Sequence, residues 1–218
     1  MTIEAANVSW ITLVMSSAVT SAVVNVGWNA WQKHGERKRE DEKDSKRVGH
    51  IYLDLSLQLE SFAKRCDTYL YDIDNGLWER SKNHDESELQ KLRSITFKFE
   101  PEPNWIELPI AFTAALKVLP KQFENAHDWI KEQWNHWADL EDAYSLEQER
   151  VAYYGLKACE VAASIRAQIQ AGDGDTDSST AHFQSLIEER RQRFQRDGNE
   201  ITLTPDLQAL FTKENLSK

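Results

Sequence analysis

The chain has 218 residues, with 36 acidic and 26 basic side chains and a formal net charge of −10. Residues 48–218 carry 30 of the acidic and 19 of the basic side chains, so phosphate backbones and anionic lipid surfaces would repel them, and nucleic acid is not an expected partner. The two cysteines, Cys66 and Cys159, are too few for a disulfide framework and lack the CxxC spacing typical of zinc sites.

A hydrophobic run extends from Val8 to Trp31, with Trp10 near one end and Trp28 close to the other. Trp10 and Trp28 lie 18 residues apart, which is about 27 Å of helix and close to the thickness of a hydrocarbon core. Residues 1–7 lack the basic region of a signal peptide, so the run is expected to be retained. The sequence predicts a transmembrane anchor that contacts the lipid bilayer through residues 8–31.

Seven basic residues lie between Lys33 and Arg47, and none precedes the hydrophobic run. The positive-inside rule then places the amino terminus outside and the rest of the chain in the cytoplasm. The expected organisation at the inner membrane is an anchor in residues 1–32, a charged tether in residues 33–47 and an acidic helical domain in residues 48–218. The tether region suits either a solvated extension of the anchor helix or a mobile linker.

Small hydroxylated residues form one stripe of the predicted anchor helix, at Ser9, Thr12, Ser16 and Thr20. Such a stripe favours close helix packing in the bilayer, with a second copy of the chain or with another protein. The same residues also suit a span without a partner, because Ser and Thr can hydrogen-bond to carbonyls of their own helix. A helix lying in the membrane plane is disfavoured, since no Lys or Arg precedes Gln32.

The remaining chain predicts an all-α bundle of about five helices. Apolar residues from Val48 to Ile73 fall within one arc of an amphipathic helix, which turn-forming residues should end between Asp72 and Gly76. Leu53 and Leu57 lie off that arc and suggest a second, smaller contact surface. A loop with one extended piece should follow, carrying Phe97, Phe99 and Trp105 as plugs against the helices.

The later elements are predicted from apolar periodicity, prolines and turn residues. They are a buried core helix over 109–119, a helix started by Pro120 and running to Trp137, a long helix over 140–171, an acidic loop over 172–179, a helix capped by Thr180 and reaching Arg196, and a short helix from Pro205 to Thr212.

Two segments resemble metal-binding motifs, but neither has the complete set of residues that such a site requires. Glu124 and His127 have the Glu-x-x-His spacing of di-metal bundles, and Glu132 and His136 follow, but such a site needs two such helices and this chain has one. The acidic residues of 173–177 resemble the start of a calcium loop that lacks its glycine and its closing glutamate. We therefore expect no metal, no cofactor and no catalytic residue set.

The order of an amino-terminal hydrophobic helix, a charged tether, the segment from Leu59 to Cys66 and a Pro/Trp stretch from Pro101 to Pro109 resembles uncharacterised bacterial membrane-anchored helical proteins, some of them phage-borne. The resemblance implies no activity and carries no functional residues over.

The function expected from these features is binding of another protein at the inner membrane by a single-pass, cytoplasm-facing helical protein. One alternative is a membrane-tethered, metal-dependent hydrolase using Glu124 and His127. Another is a phage- or defence-associated protein that disturbs the bilayer when triggered.

Overall fold

A computed structural model describes residues 40–197 and 201–216 of the chain. Within these residues the protein has six α-helices and no strand, which confirms the all-helical fold predicted from the sequence. The helices are α1 (Glu40–Asn83), α2 (Ser87–Lys91), α3 (Ile110–His136), α4 (Leu140–Ile169), α5 (Asp177–Asp197) and α6 (Pro205–Leu216), with a 3-10 turn at Trp105–Glu107 before α3.

The predicted anchor lies outside the described residues, together with Trp10, Trp28, Trp31 and the stripe of Ser9, Thr12, Ser16 and Thr20. Among the residues that are described, no helix contains a stretch long and apolar enough to cross a membrane. The second half of the region predicted as a tether belongs to α1, which begins at Glu40.

Helix α1 buries the predicted arc, including Leu55, Leu59, Phe62, Cys66 and Ile73. The prediction that it ends by Gly76 is wrong, because the helix continues to Asn83 and stops where His84 takes a φ of 54°. Gly76 lies against the side chain of buried Leu89, where a Cβ would have no room. Tertiary packing on this glycine outweighs the local turn preference.

Helix α4 is the central element and packs against α1, α3 and α5. Its predicted start is confirmed, and Asp139 and Asp142 form a capping box there. The helix ends at Ile169, two residues before the predicted end, where Gln170 takes a φ of 56°. It runs antiparallel to α1, since Gln148 bonds to Asp74 near one end and Arg166 bonds to Glu60 near the other. Gly155 lets α5 approach closely, as an added Cβ would lie 2.7 Å from the Phe183 ring.

Helix α3 is one element where the sequence predicted two, and Pro120 lies inside it. A proline removes one helical hydrogen bond, but Leu116 and Phe123 are buried on either side of it and hold the helix together. The sequence predicted that the first part of α3 would be buried on all sides, but Ile110 is 88% exposed and Val118 is 45% exposed. Only one face of α3 contributes to the core.

The segment from residue 87 to 99, called here the crossing segment, passes over α1. Its beginning was predicted to be loop, yet it includes α2. Phe97 stacks on Phe62 with ring centroids 4.0 Å apart, and Phe99 bridges Phe97 and Trp105. The predicted plugs are therefore confirmed as packed against the core.

The last two helices complete the bundle beside α4. Helix α5 begins at Asp177, so Thr180 lies inside its first turn and does not cap it; the amide of Thr180 bonds to the carbonyl of Thr176. Helix α6 begins at Pro205 as predicted and extends beyond Thr212 to Leu216. Phe194 of α5 contacts Phe211 of α6, with ring centroids 5.8 Å apart.

Candidate binding groove

An open groove of about 780 Å³ lies between α1 and the crossing segment. Side chains of α1 form one wall, and residues 91–95 form the other. The lining includes apolar, hydroxyl and charged groups, namely Leu57, Glu60, Ser61, Lys64, Arg65, Thr68, Tyr69, Asp72, Lys91, Leu92, Arg93 and Ile95. Leu57, predicted from its position to belong to a second contact surface, is 47% exposed at this site.

The groove has a positive balance of charge in an acidic domain. Four lining side chains are basic, whereas only Glu60 and Asp72 are acidic. Both carboxylate oxygens of Glu60 accept hydrogen bonds from Arg166, so that charge is already compensated. The site is therefore suited to an anionic group.

Two of the four basic residues of the groove are held by weak surface pairs. Lys64 lies 2.9 Å from Asp175, and Lys91 lies 2.7 Å from Glu88, with all four side chains largely exposed. Such pairs contribute little and exchange readily for another anion. Arg65 and Arg93 form no ion pair within residues 40–197 and 201–216. The guanidinium of Arg65 lies over the Phe62 ring, 5.8 Å from its centroid.

The second wall is fixed by contacts to the bundle. The Tyr144 hydroxyl donates to the carbonyl of Leu89 at 2.8 Å, and the Leu89 side chain packs on Gly76. Farther along, the Ser94 hydroxyl accepts a hydrogen bond from Arg150 Nη2 at 3.0 Å. Lys91 and Arg93 are thus carried by a backbone that α1 and α4 both hold in place.

Arg150 is the centre of a buried network behind this wall. It is 1% exposed, donates through Nε to Glu147 Oε2 at 2.8 Å and through Nη1 to the Phe123 carbonyl at 3.1 Å, and covers the Phe123 ring. Burial alone would raise the pKa of Glu147, but the neighbouring His127 ring and Arg150 guanidinium outweigh it and lower the pKa to about 2. Glu147 is therefore a permanently charged partner of Arg150 at neutral pH.

The residues of the Glu-x-x-His motif and the two that follow it do not come together in the structure. Glu124, Glu132 and His136 are exposed on α3, whereas His127 lies 3.9 Å from Glu147 and 3.4 Å from the Ser94 hydroxyl. Over the described part of the chain, no three His, Cys, Asp or Glu side chains come together in a way that would hold a metal ion. In the loop resembling a calcium site, Asp175 pairs with Lys64 instead.

A polar cluster missed by the sequence analysis joins α1 to α5. Asp67 accepts from the Ser179 hydroxyl at 2.7 Å and lies 2.6 Å from His182 Nδ1. Because Ser179 and His182 bond to the same carboxylate, the serine hydroxyl is not directed at the imidazole, as a nucleophile activated by a base would be. The cluster's role is to connect two helices.

Sequence reasoning also missed the basic residues of the groove. The helical period identifies Leu57 as lying off the buried arc, but Lys91 and Arg93 belong to a stretch without periodicity. Their position depends on Tyr144 and Arg150, which are more than 50 residues away in the chain. The one available signal was the concentration of exposed Lys and Arg beside Leu57 on α1.

Comparison with known proteins adds no assignment: no family model, no curated protein and no solved structure matches this chain.

Proposed function

We propose that this protein is a binding protein, held at the inner membrane by residues 8–31, whose groove takes an acidic and partly apolar segment of a protein partner. The observation that carries the proposal is the basic lining of the groove in a domain whose overall charge is strongly negative. A site of opposite sign to its surroundings selects by charge, because the rest of the surface repels the same ligand.

The apolar part of the lining determines what kind of acidic ligand fits. Leu57, Leu92 and Ile95 lie in the groove beside the basic residues. A peptide with carboxylates on one side and aliphatic side chains on the other would pair with both sets, as helical segments do in grooves of other binding domains. A free inorganic anion would leave the apolar lining uncovered.

Photo-cross-linking from inside the groove tests this proposal in cells. A benzophenone amino acid replaces Thr68, which lines the groove, in the full-length chain. The expected result is a cross-linked partner whose attached peptide is acidic, and the loss of this product when Arg65→Glu and Arg93→Glu are added. The same photoreactive residue at Lys131, exposed on α3, is the position control.

The charge control is the pair Lys121→Glu and Lys131→Glu on α3, which changes the net charge by the same amount away from the groove. This variant should keep the cross-linked product. A product that survives reversal of Arg65 and Arg93, or that forms equally from Lys131, would contradict binding in the groove.

The membrane part of the proposal has its own test. The full-length chain should remain in the membrane fraction after alkaline carbonate washing, whereas a chain that begins at Glu40 should be released. Release of both chains would refute the anchor and leave the groove experiment interpretable, because the groove is built entirely from residues 57–95 and their contacts.

A further inference from the structure

Two isoleucines beside the start of α3 are almost fully exposed. Ile106 is 95% exposed in the 3-10 turn, and Ile110 is 88% exposed at the first position of α3. Leu108, between them, is 5% exposed and anchors the backbone to the core. Isolated exposed apolar residues are common, but these two lie on either side of the buried Leu108, so both are held beside the start of α3.

Both isoleucines lie at the end of the bundle where α1 begins. Arg47 Nε of α1 is 2.8 Å from Glu107 Oε2, which belongs to the turn. The rings of Tyr52 and Phe112 are 5.0 Å apart, and those of Phe62 and Phe123 are 5.1 Å apart, so α1 and α3 run in the same direction. The first turns of both helices therefore face the same end of the domain.

The chain before α1 contains the run predicted to enter the bilayer. Glu40 lies nine positions after Trp31, and even a fully extended chain of that length spans no more than about 32 Å. The same linking region holds most of the seven basic residues between Lys33 and Arg47, which favour an anionic lipid surface. The Glu107 charge on the turn is compensated by Arg47.

We infer that Ile106 and Ile110 insert into the interfacial region of the bilayer that holds the anchor, so that the domain rests on the membrane by this end. The inference rests on the proposed membrane anchor. Trp105, which precedes Ile106 and is half-buried, would then lie at the depth that tryptophan prefers. Contact at this end would fix the orientation of the domain and leave the groove on the side of α1 open to a partner.

An environment-sensitive fluorophore tests the contact directly. The full-length chain carrying Ile106→Cys is labelled with nitrobenzoxadiazole and reconstituted into vesicles of phosphatidylcholine and phosphatidylglycerol. Cys66 and Cys159 are buried, so labelling of the unsubstituted chain measures the background. Lipids that carry a nitroxide at a shallow position should quench roughly half of the emission, as expected for a side chain within the headgroup and upper acyl region.

The matched control carries the label at Lys131→Cys, exposed toward the other end of α3, and should show no quenching by the lipid nitroxide. Adding Ile110→Ser to the Ile106→Cys chain should weaken the quenching without altering folding, since Ile110 is exposed. Equal quenching at both labelled positions would overturn the oriented contact.

Flotation of the same vesicles separates the two proposals. Chains that float with the vesicles but show no quenching at position 106 would refute the bilayer contact and retain the anchor. Chains that do not float would refute the anchor and the contact together. A blue-shifted emission that lipid nitroxides cannot quench would show that a protein surface, such as a second copy, covers Ile106, and would also overturn the inference.

Discussion

Helix α4 carries two buried glutamates, each beside an arginine, on opposite faces, and they behave in opposite ways. Glu147 lies beside the His127 ring and receives two hydrogen bonds from Arg150, and together these lower its pKa to about 2. Glu149 accepts one hydrogen bond from the Thr204 amide at 2.9 Å, while Arg190 Nε lies 3.5 Å away and has no hydrogen-bond partner in the described part of the chain. Burial consequently raises the pKa of Glu149 to about 7.

The comparison shows that a buried charge is kept by the geometry of its hydrogen bonds more than by the presence of an opposite charge. The three nitrogens of the Arg150 guanidinium donate four hydrogen bonds, two to Glu147 and one each to Phe123 and Ser94. In contrast, Arg190 Nε lies 3.5 Å from Glu149, and Arg190 Nη2 donates to Gln148 at 3.3 Å. The first arrangement offsets the cost of removing the carboxylate from water, and the second does not.

The largest effect expected from this difference is that of Arg150→Met. The substitution leaves Glu147 charged and buried without its partner, so the free energy of unfolding at pH 7 should fall by about 3–5 kcal/mol in urea titrations. Arg190→Met is the matched control and should cost clearly less, because Glu149 can take up a proton when its arginine is removed. Equal losses for the two variants would contradict the contrast between the pairs.

The second effect concerns pH. Between pH 4.5 and 7 the folded chain keeps a proton on Glu149 that the unfolded chain has lost, so its contribution to stability falls as the pH rises through this window. In the natural chain this contribution lowers the free energy of unfolding by about 3 kcal/mol between pH 4.5 and 7, and Glu149→Gln should abolish that decrease. At pH 8 this variant should be at least as stable as the natural chain.

Burial also raises the pKa of Glu160 to about 7. Glu160 is present in the natural chain and in Glu149→Gln, so the pH dependence of the unfolding free energy that remains in Glu149→Gln measures the contribution of Glu160. Glu147→Gln should behave in the opposite way. Its carboxylate stabilises the fold above pH 4.5, and that stability is lost as the pH falls toward 2. A loss of stability at pH 8 in Glu149→Gln as large as that in Glu147→Gln would refute the pKa assignment.

The smallest expected effect concerns the close packing of α5 against α4 at Gly155. Gly155→Ala would place a Cβ 2.7 Å from the Phe183 ring, which should cost about 1–3 kcal/mol in thermal or urea unfolding. Gly49→Ala in α1 is the control, because its Cβ would meet nothing within 4 Å. It should stabilise the chain by about 0.5–1 kcal/mol through its helix propensity, and a loss there would contradict the packing argument.

Elements with local signals were predicted well. The extent of α4 follows, to within two residues at its end, from its apolar period and the turn-forming residues after it, and the buried arc of α1 follows from its helical period. Two of the wrong predictions, at Gly76 and Pro120, concern residues that interrupt helices by local preference. In both cases buried neighbours override that preference, by contact with Leu89 at Gly76 and by burial of Leu116 and Phe123 around Pro120.

Only the wall of the groove that α1 forms could be predicted from the sequence. Leu57 stands out because the helical period leaves it off the buried face, whereas Arg93 belongs to a stretch with no period at all. The position of Arg93 is set by its neighbour Ser94, which accepts a hydrogen bond from Arg150, 56 positions later in the chain. No local pattern in residues 87–99 predicts the hydrogen bond between Arg150 and Ser94.

The sequence by itself determined that this chain is helical, acidic beyond residue 48 and hydrophobic near its start, because composition and helical period are properties of neighbouring residues. Only the tertiary structure decided that the pKa of Glu147 is lowered to about 2 while the pKa of Glu149 is raised to about 7, although they lie two positions apart on one helix. The reason is physical: the pKa of a buried group depends on water excluded and on hydrogen bonds made, and its partners come from distant parts of the chain.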